Sequence, residues 1–139
     1  MSTRRQLQKL ACLRLKEAEA LFDAGCYDGC AYLCGYVVEL ALKAAVCSWL
    51  AVAEYPEKGS RLREAFKTHD FDDLKLLAGM EEAFKVNPAR IANWSLASDW
   101  KPERRYEPEG SYSRATAQGI LDAVSAYPDG VLACISSHW

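Results

Sequence analysis

The sequence lacks an excess of positive charge, a long uninterrupted apolar run and an apolar segment near its start. Its formal net charge is −2 over 139 residues. The molecule as a whole therefore has no basic footprint of the kind that coats DNA, and any nucleic-acid contact must be local. The longest apolar run is interrupted by Glu39 and Lys43, which argues against a membrane span. The basic start, MSTRRQLQKL, leads into amphipathic sequence, so we expect no signal peptide and a cytoplasmic location.

Several chemical signatures are missing as well. The six cysteines form no C-x-x-C pair, and no histidine lies near Cys26, Cys30 and Cys34 in the sequence. These three thiols recur every fourth residue, so we expect them along one helix face as small buried apolar groups, with a metal site as the lesser alternative. The sequence contains no phosphate-cradling glycine loop, no serine–histidine–acid arrangement and no acidic metal cluster. We therefore expect no metal and no cofactor.

Helical periodicity is the dominant pattern that is present. Apolar residues recur at helical spacing from about residue 3 to 24, and from about residue 27 to 53 nearly every side chain is apolar. A helix that is apolar all round is buried on most sides, so the second helix should be the centre of a bundle or should also pack on another protein. Gly35 lies in the middle of it, where close approach of another helix would explain the missing side chain.

The rest of the chain is predicted to form shorter helices. Residues 54–67 form a connector, and residues 68–79 a short helix capped by Thr68 or Asp70. A helical stretch over 81–100 is interrupted near Asn87, residues 101–112 form a loop, and a last helix begins near residue 111 or 113. Pro128 either kinks or splits that last helix. Because no strand-like alternation occurs, we predict one all-α domain over residues 1–139, an antiparallel up-and-down bundle of four to five helices.

The charged pair inside the apolar second helix has two interpretations. Glu39 and Lys43 are spaced i, i+4 with the acid first, the favourable order on a solvated stripe. Alternatively, Glu39 is buried in a polar interface, where a lone acid must find a partner. In that case Arg105 of the loop over 101–112 is the expected partner, and the contact would hold the loop on the bundle.

The second helix and what precedes it carry a recognisable pattern. The stretch RLKEAEALFDAGCYDGCAYLCGYVVELALKA resembles the N-terminal helical hairpin of the HEPN domain family. His69-Asp70-Phe71 with Leu74 is similar to the family's start of helix three, and DWKPERRYEP is similar to a loop found in some members. The hairpin pattern is carried by Arg14, Glu17, Ala18, Leu21, Gly25, Tyr27, Ala31, Tyr32, Gly35, Tyr36, Glu39, Leu42, Lys43 and Ala44.

The resemblance implies a helical bundle that often forms a homodimer. Members of the family include ribonuclease toxins, phage-defence proteins and partners of small nucleotidyltransferases. The ribonucleases use an R-x4–6-H motif, in which arginine holds a phosphate and histidine moves a proton at the 2′-hydroxyl. This chain departs there: neither Arg104 nor Arg105 has a histidine four to six residues downstream. Arg63 and His69 satisfy the spacing but lie before helix three, and His138, next to the last residue, is expected to be frayed and inert.

The loop over 101–112 contains the remaining candidate ligand site. Arginine can bind a phosphate or carboxylate through two donors, and tyrosine can stack on a base. We therefore predict a site formed by Arg104, Arg105 and Tyr106, with Trp100 as a wall.

Three functions are compatible with the sequence. The first is a non-catalytic HEPN module, a dimer that binds a nucleotide, an RNA or a nucleotidyltransferase partner in a defence or toxin–antitoxin system. The second is a metal-independent ribonuclease toxin, in which folding brings His69 together with Arg63 or Arg105. The third is a protein-interaction scaffold whose apolar second helix docks on another protein.

Overall fold

The computed structural model describes residues 2–57 and 61–139. Within these residues the chain forms α-helices and short 3₁₀ helices and no strand, apart from an isolated antiparallel bridge between Thr3 and Glu54. The α-helices are α1 Arg4–Asp23, α2 Tyr27–Trp49, α3 Phe71–Leu77, α4 Pro88–Ser98, α5 Arg114–Ser125 and α6 Val131–Ser136. The 3₁₀ helices are Arg61–Phe66, Ala83–Lys85 and Pro102–Tyr106. The all-α prediction is confirmed.

α1 and α2 form the hairpin on which the other elements pack. Thr3 and Gln6 cap α1 reciprocally: each side chain accepts a hydrogen bond from the other residue's backbone N–H, at 2.9 and 3.2 Å. Gly25, with φ of 79°, ends α1 in the left-handed conformation that glycine adopts without strain. The face of α1 formed by Leu7, Ala11 and Ala18 is buried in the bundle core.

α2 is the central helix, as the sequence predicted. Thirteen of its 23 residues are buried, and it contacts α1, α3, α4, α5 and α6. By length and composition it is apolar enough to cross a membrane, but 72% of the relevant window is buried within the bundle, and core helices of other folds meet the same criterion. It ends at Trp49 rather than near residue 53, because Ala51 turns the chain at φ of 54°.

The C-terminal part contains one more helix than expected. At the YPDG turn the Gly130 N–H donates to the Ala126 carbonyl at 3.0 Å, and α6 starts as a separate helix. Asp129 of this turn accepts from Asn87 at 3.0 Å and from Arg90 at 3.2 Å, which joins the turn to the start of α4. The chain therefore splits at Pro128 instead of kinking, and the bundle has six α-helices in its described residues.

Gly35 makes room for Trp100 and not for a second helix. A Cβ atom on Gly35 would lie 2.1 Å from the indole of Trp100. The indole stacks on Phe71 with ring centroids 5.5 Å apart, and its N–H donates to the Tyr32 carbonyl at 3.1 Å. The expectation of a close helix–helix approach was therefore wrong: an aromatic ring from the end of α4 fills this space.

Replacing Gly35 by alanine tests this packing. Gly35→Ala should lower the free energy of unfolding by about 1–3 kcal/mol, because the new methyl group overlaps the indole and Trp100 must move. Gly119→Ala is the matched control: Gly119 is also helical, but an added Cβ meets nothing within 4 Å. This control should raise stability by about 0.5–1 kcal/mol. Urea unfolding of the two variants should therefore give changes of opposite sign; equal changes would contradict the assignment.

Candidate functional site

Four side chains form one polar stripe on α2. Tyr32, Tyr36, Glu39 and Lys43 are spaced by four, three and four residues, so they lie on the same side of the helix. We call this set the α2 stripe. Two segments from later in the chain lie on it, residues 68–71 before and at the start of α3 and residues 99–112 after α4.

Glu39 is buried and its partner is His69. The glutamate residue is 4% exposed, and its carboxylate is hydrogen-bonded to the Nδ1 atom of His69, whose side chain is 58% exposed. The solvated-stripe interpretation of Glu39 is therefore wrong, and so is the pairing with Arg105. Lys43 does not pair with Glu39 either: its ammonium lies 4.0 Å from Glu57 and over the Tyr55 ring.

The start of α3 fixes the position of His69. The Asp70 side chain caps α3 by accepting the N–H groups of Asp72 and Asp73 at 2.9 and 3.0 Å. Phe71, the first residue of α3, is buried against Trp100. Because both neighbours of the histidine are held, its ring is directed to the carboxylate on α2.

The contact with Glu39 determines which nitrogen of His69 is reactive. An ionised carboxylate only accepts hydrogen bonds, so Nδ1 must carry the hydrogen and Nε2 keeps the lone pair in the neutral ring. Among the residues that the structure describes, Nε2 has no hydrogen-bond partner. The arrangement presents a basic nitrogen to solvent on an imidazole that a buried acid orients.

A polar cavity of about 260 Å³ adjoins His69. It lies between the start of α3 and the segment that follows α4. Its lining consists of His69, Asp70, Phe71, Asp72, Ser98, Asp99, Trp100, Lys101, Pro102 and Glu103. Trp100 is only 7% exposed, so it acts mainly as a core residue and contributes an edge to this cavity.

The two arginines of the loop have different roles. Arg104 is 24% exposed and lies 3.0 Å from Asp99 and 3.6 Å from Glu107, while it donates to the Tyr112 hydroxyl at 2.7 Å. These contacts hold the loop together. Arg105 is exposed and lies over the ring of Tyr106, 4.8 Å from its centroid. The phenol oxygens of Tyr106 and Tyr32, as hydrogen-bond acceptors, raise the pKa of Arg105, which stays fully charged.

Asp28, at the start of α2, anchors this loop. Its two carboxylate oxygens accept the backbone N–H groups of Gly110 and Tyr112 at 2.7 and 2.9 Å. Asp28 was not among the residues that the sequence predicted for the site, because a contact between residues more than 80 positions apart leaves no local pattern.

A second cavity of about 200 Å³ lies between this loop and α2. Its lining consists of Asp28, Gly29, Tyr32, Arg104, Arg105, Glu107, Pro108, Ser111 and Tyr112. Tyr106 is not among these residues and is 76% exposed beside the cavity. The cavity thus presents two guanidiniums, two phenols and a hydroxyl, beside the carboxylates of Asp28 and Glu107.

The two tyrosines of the α2 stripe are hydrogen-bonded to each other. The Tyr32 hydroxyl donates to the Tyr36 oxygen at 3.2 Å. The hydrogen bond with Tyr32, together with burial and the nearby charge of Glu39, raises the pKa of Tyr36 to about 12. At neutral pH Tyr36 therefore keeps its proton and can donate it to a phosphate or hydroxyl oxygen.

The remaining candidates from the sequence are Arg63 and His138. Arg63 is exposed in the 3₁₀ helix Arg61–Phe66, and its action on a shared ligand with His69 stays a prediction. His138 lines a separate cavity with Trp49 and Gly79. The chain end is packed instead of frayed, because the Trp139 indole N–H donates to the Ala41 carbonyl at 3.1 Å.

The cysteines are divided between core and surface. Cys30 and Cys34 are buried, as expected, whereas Cys26 is exposed at the N-cap of α2. The hydrogen bond between the two buried thiols lowers the pKa of Cys30 and, with burial, raises that of Cys34. In the part of the chain that the structure describes, no group of three or more His, Cys, Asp or Glu residues is arranged to hold a metal ion.

Comparison with known proteins identifies the family. The family model of the HEPN domain matches residues 5–126. The match covers α1 apart from its first residue, the helices α2 to α5, His69 and the loop that carries Arg105. The chain belongs to the HEPN domain family. No curated protein and no solved structure matches the HEPN chain significantly.

A double-mutant cycle tests the contact between Glu39 and His69. His69→Ala should lower the free energy of unfolding by about 1–3 kcal/mol, because it leaves a buried carboxylate without a partner. Glu39→Gln should lower the free energy of unfolding much less in the His69→Ala background than in the wild type. The difference, which is the coupling free energy, should be on the order of 1 kcal/mol. Glu39→Gln combined with Arg105→Gln is the control and should be additive within about 0.5 kcal/mol. Additivity in the first cycle would refute the contact.

Proposed function

We propose that this HEPN protein is a nucleotide- or RNA-associated module that binds its ligand along the α2 stripe. The observation that supports it is the convergence of His69 and Arg105 on one helix face from separate segments. Their contact points, Glu39 and Tyr32, are seven residues apart, which corresponds to about 10 Å along the helix axis. A ligand with more than one polar group is long enough to contact both.

The chemistry of the stripe suits a phosphorylated ligand. The exposed guanidinium of Arg105 can donate two parallel hydrogen bonds to a phosphate. Tyr106 presents an exposed ring on which a base can stack. The phenols of Tyr32 and Tyr36 and the Nε2 atom of His69 can bind ribose hydroxyls.

The cellular setting belongs to the same proposal. We place the protein in the cytoplasm as a homodimer in a defence or toxin–antitoxin system, with a nucleotidyltransferase as partner. Support for a protein interface comes from α4, where Ile91 and Leu96 are exposed large apolar residues and Arg90, the charged residue of the helix, is paired with Asp129. The apolar faces of α2 do not provide such an interface, because the chain's own helices cover them.

Substitution of the two neighbouring arginines tests the binding proposal. Arg105→Gln should weaken binding of a short RNA at least about 10-fold, because a charged hydrogen-bond donor to phosphate is lost. Its unfolding curve should match that of the wild type, since Arg105 is exposed. Arg104→Gln is the control and should lower stability, because Asp99, Glu107 and Tyr112 lose their shared partner.

Isothermal titration calorimetry with nucleotides and with short RNAs measures the first effect, and urea unfolding the second. Equal affinities of wild type and Arg105→Gln for every ligand that the wild type binds would exclude Arg105 as the binding residue.

The orientation of His69 favours a second candidate function, a metal-independent ribonuclease. The Nε2 atom would take the proton of a ribose 2′-hydroxyl, and the 2′-oxygen would attack the adjacent phosphorus to form a 2′,3′-cyclic phosphate. The bond from phosphorus to the 5′-oxygen would break, and the 5′-oxygen would leave with a proton taken from water. Glu39 would hold the ring and stabilise its charged form, as a buried acid does for a catalytic histidine. Arg105 or Arg63 would balance the charge that develops on the phosphate.

A cleavage assay distinguishes this candidate from a binding module. If the protein is a ribonuclease, it should cleave RNA in the presence of EDTA, and His69→Ala should reduce the rate about 100-fold or more. Glu39→Gln should give an intermediate rate, because the ring loses the carboxylate that sets its tautomer. His138→Ala serves as the control and should leave the rate unchanged. Intact RNA after incubation with the purified wild type would leave the binding module as the function.

A further inference from the structure

Positive charge is concentrated at the start of the chain. Residues 1–16 contain five basic residues and no acidic one, whereas residues 17–139 contain twelve basic and nineteen acidic residues. A molecule with a net charge of −2 therefore carries a basic end on an acidic body. Such asymmetry indicates a polyanionic partner that the basic end contacts locally.

Three of these cations form a line on the outer side of α1. Arg5, Lys9 and Lys16 are spaced by four and seven residues, which places them on one side of the helix. All three are exposed, and the buried side of α1, with Leu7 and Ala11, faces away from them. We call these three residues the α1 basic stripe.

The cations of this stripe have no acidic partner among the residues that the structure describes. In residues 2–57 and 61–139, no ion pair involves Arg5, Lys9 or Lys16, whereas the neighbouring Arg14 is paired with Glu17 at 2.9 Å. Three unpaired cations in a row repel one another and gain most from a partner with regularly repeated negative charge. After Lys16 the same side of α1 becomes acidic, with Glu19 and then Asp23 at the end of the helix.

We infer that the α1 basic stripe binds the phosphate backbone of an RNA strand, as a contact additional to the α2 stripe. This inference rests on the proposed function for the identity of the polyanion. A nucleic-acid backbone presents a charge at every nucleotide, so a row of exposed cations on one helix can contact several phosphates without reading sequence. The contact would hold a long RNA on the protein while one of its nucleotides occupies the cavity that Arg105 lines, between α2 and the loop after α4.

The same surface is poorly suited to a membrane. Helices that lie on membranes insert an apolar face opposite their basic residues. In α1 that face, with Leu7, Ala11 and Ala18, is already buried in the bundle. Leu13 is the one large apolar residue of α1 that is prominently exposed in the described structure, and a single leucine gives little insertion energy.

Salt-dependent binding of RNA tests the inference. Fluorescence anisotropy with a labelled 20-nucleotide oligouridine should show that the logarithm of the wild-type association constant falls linearly with the logarithm of the salt concentration. Lys9→Gln with Lys16→Gln should reduce that slope by about 1.4, because each lost phosphate contact on a single strand contributes about 0.7. Lys67→Gln with Lys85→Gln removes the same charge from other exposed lysines and should leave the slope unchanged.

Two further measurements separate this inference from the proposed function. Binding of a mononucleotide should depend on Arg105 and should be the same in Lys9→Gln/Lys16→Gln as in the wild type. If the mononucleotide binds but the two double variants have equal slopes, the α1 contact is overturned while the proposed site stands. If Arg105→Gln does not change mononucleotide affinity but Lys9→Gln/Lys16→Gln lowers the slope, the proposed site is overturned while the α1 contact stands. Wild-type binding to phosphatidylserine vesicles without binding to oligouridine would overturn the inference in favour of a membrane.

Discussion

The buried carboxylate of Glu39 is the constraint from which much of the site follows. An acid in an otherwise apolar helix must be paired, because a desolvated charge without a partner destabilises the fold by several kcal/mol or more. His69 provides that pairing from 30 residues away. The pairing holds the start of α3 against α2, and Phe71 then meets the ring of Trp100. Trp100 in turn occupies the space that Gly35 leaves open. The polar contact and the aromatic packing next to it therefore depend on each other.

A second acid of α2, Asp28, positions the other half of the site. It accepts two backbone N–H groups of the loop that follows α4, and Arg104 closes the same loop through Asp99 and Tyr112. With the loop backbone held at these points, Arg105 lines the cavity between the loop and α2, and Tyr106 is exposed beside that cavity. Asp28 and Glu39 thus have similar roles, since each binds a later segment of the chain and holds it on α2. The family assignment of the HEPN domain fits such a hairpin-centred bundle.

Much of the fold could be predicted from the sequence, but less of the site. The helices were predictable because their periodicity and caps are local features, as with Asn87 and Pro88 at the start of α4. Burial of Glu39 against a partner was one of two interpretations that the sequence allowed, because the pattern of α2 does not show which side of the helix is covered. The partner expected for that case was Arg105, and the structure has His69 instead. The sequence does not show which later segment lies on this part of α2. The same limit applies to Asp28, whose role depends on a contact with residues 110–112, and to the separate helix α6, which depends on how Asp129 packs on α4.

His69 and Arg105, the two charged or basic groups of the candidate site, are held in different ways. His69 is fixed by a buried acid, a capped helix start and a packed neighbour, so its Nε2 atom has a defined direction, as proton transfer requires. Arg105 is exposed, and its side chain contacts the phenols of Tyr106 and Tyr32. A guanidinium has five N–H donors, so Arg105 can still donate to a phosphate. Under the proposed function, a change at Arg105 should therefore alter affinity without altering the fold, whereas a change at Glu39 or His69 should alter both. Ribonuclease activity would need His69 and Arg105 at neighbouring atoms of one ligand. Binding of RNA would need only that both residues contact the same strand.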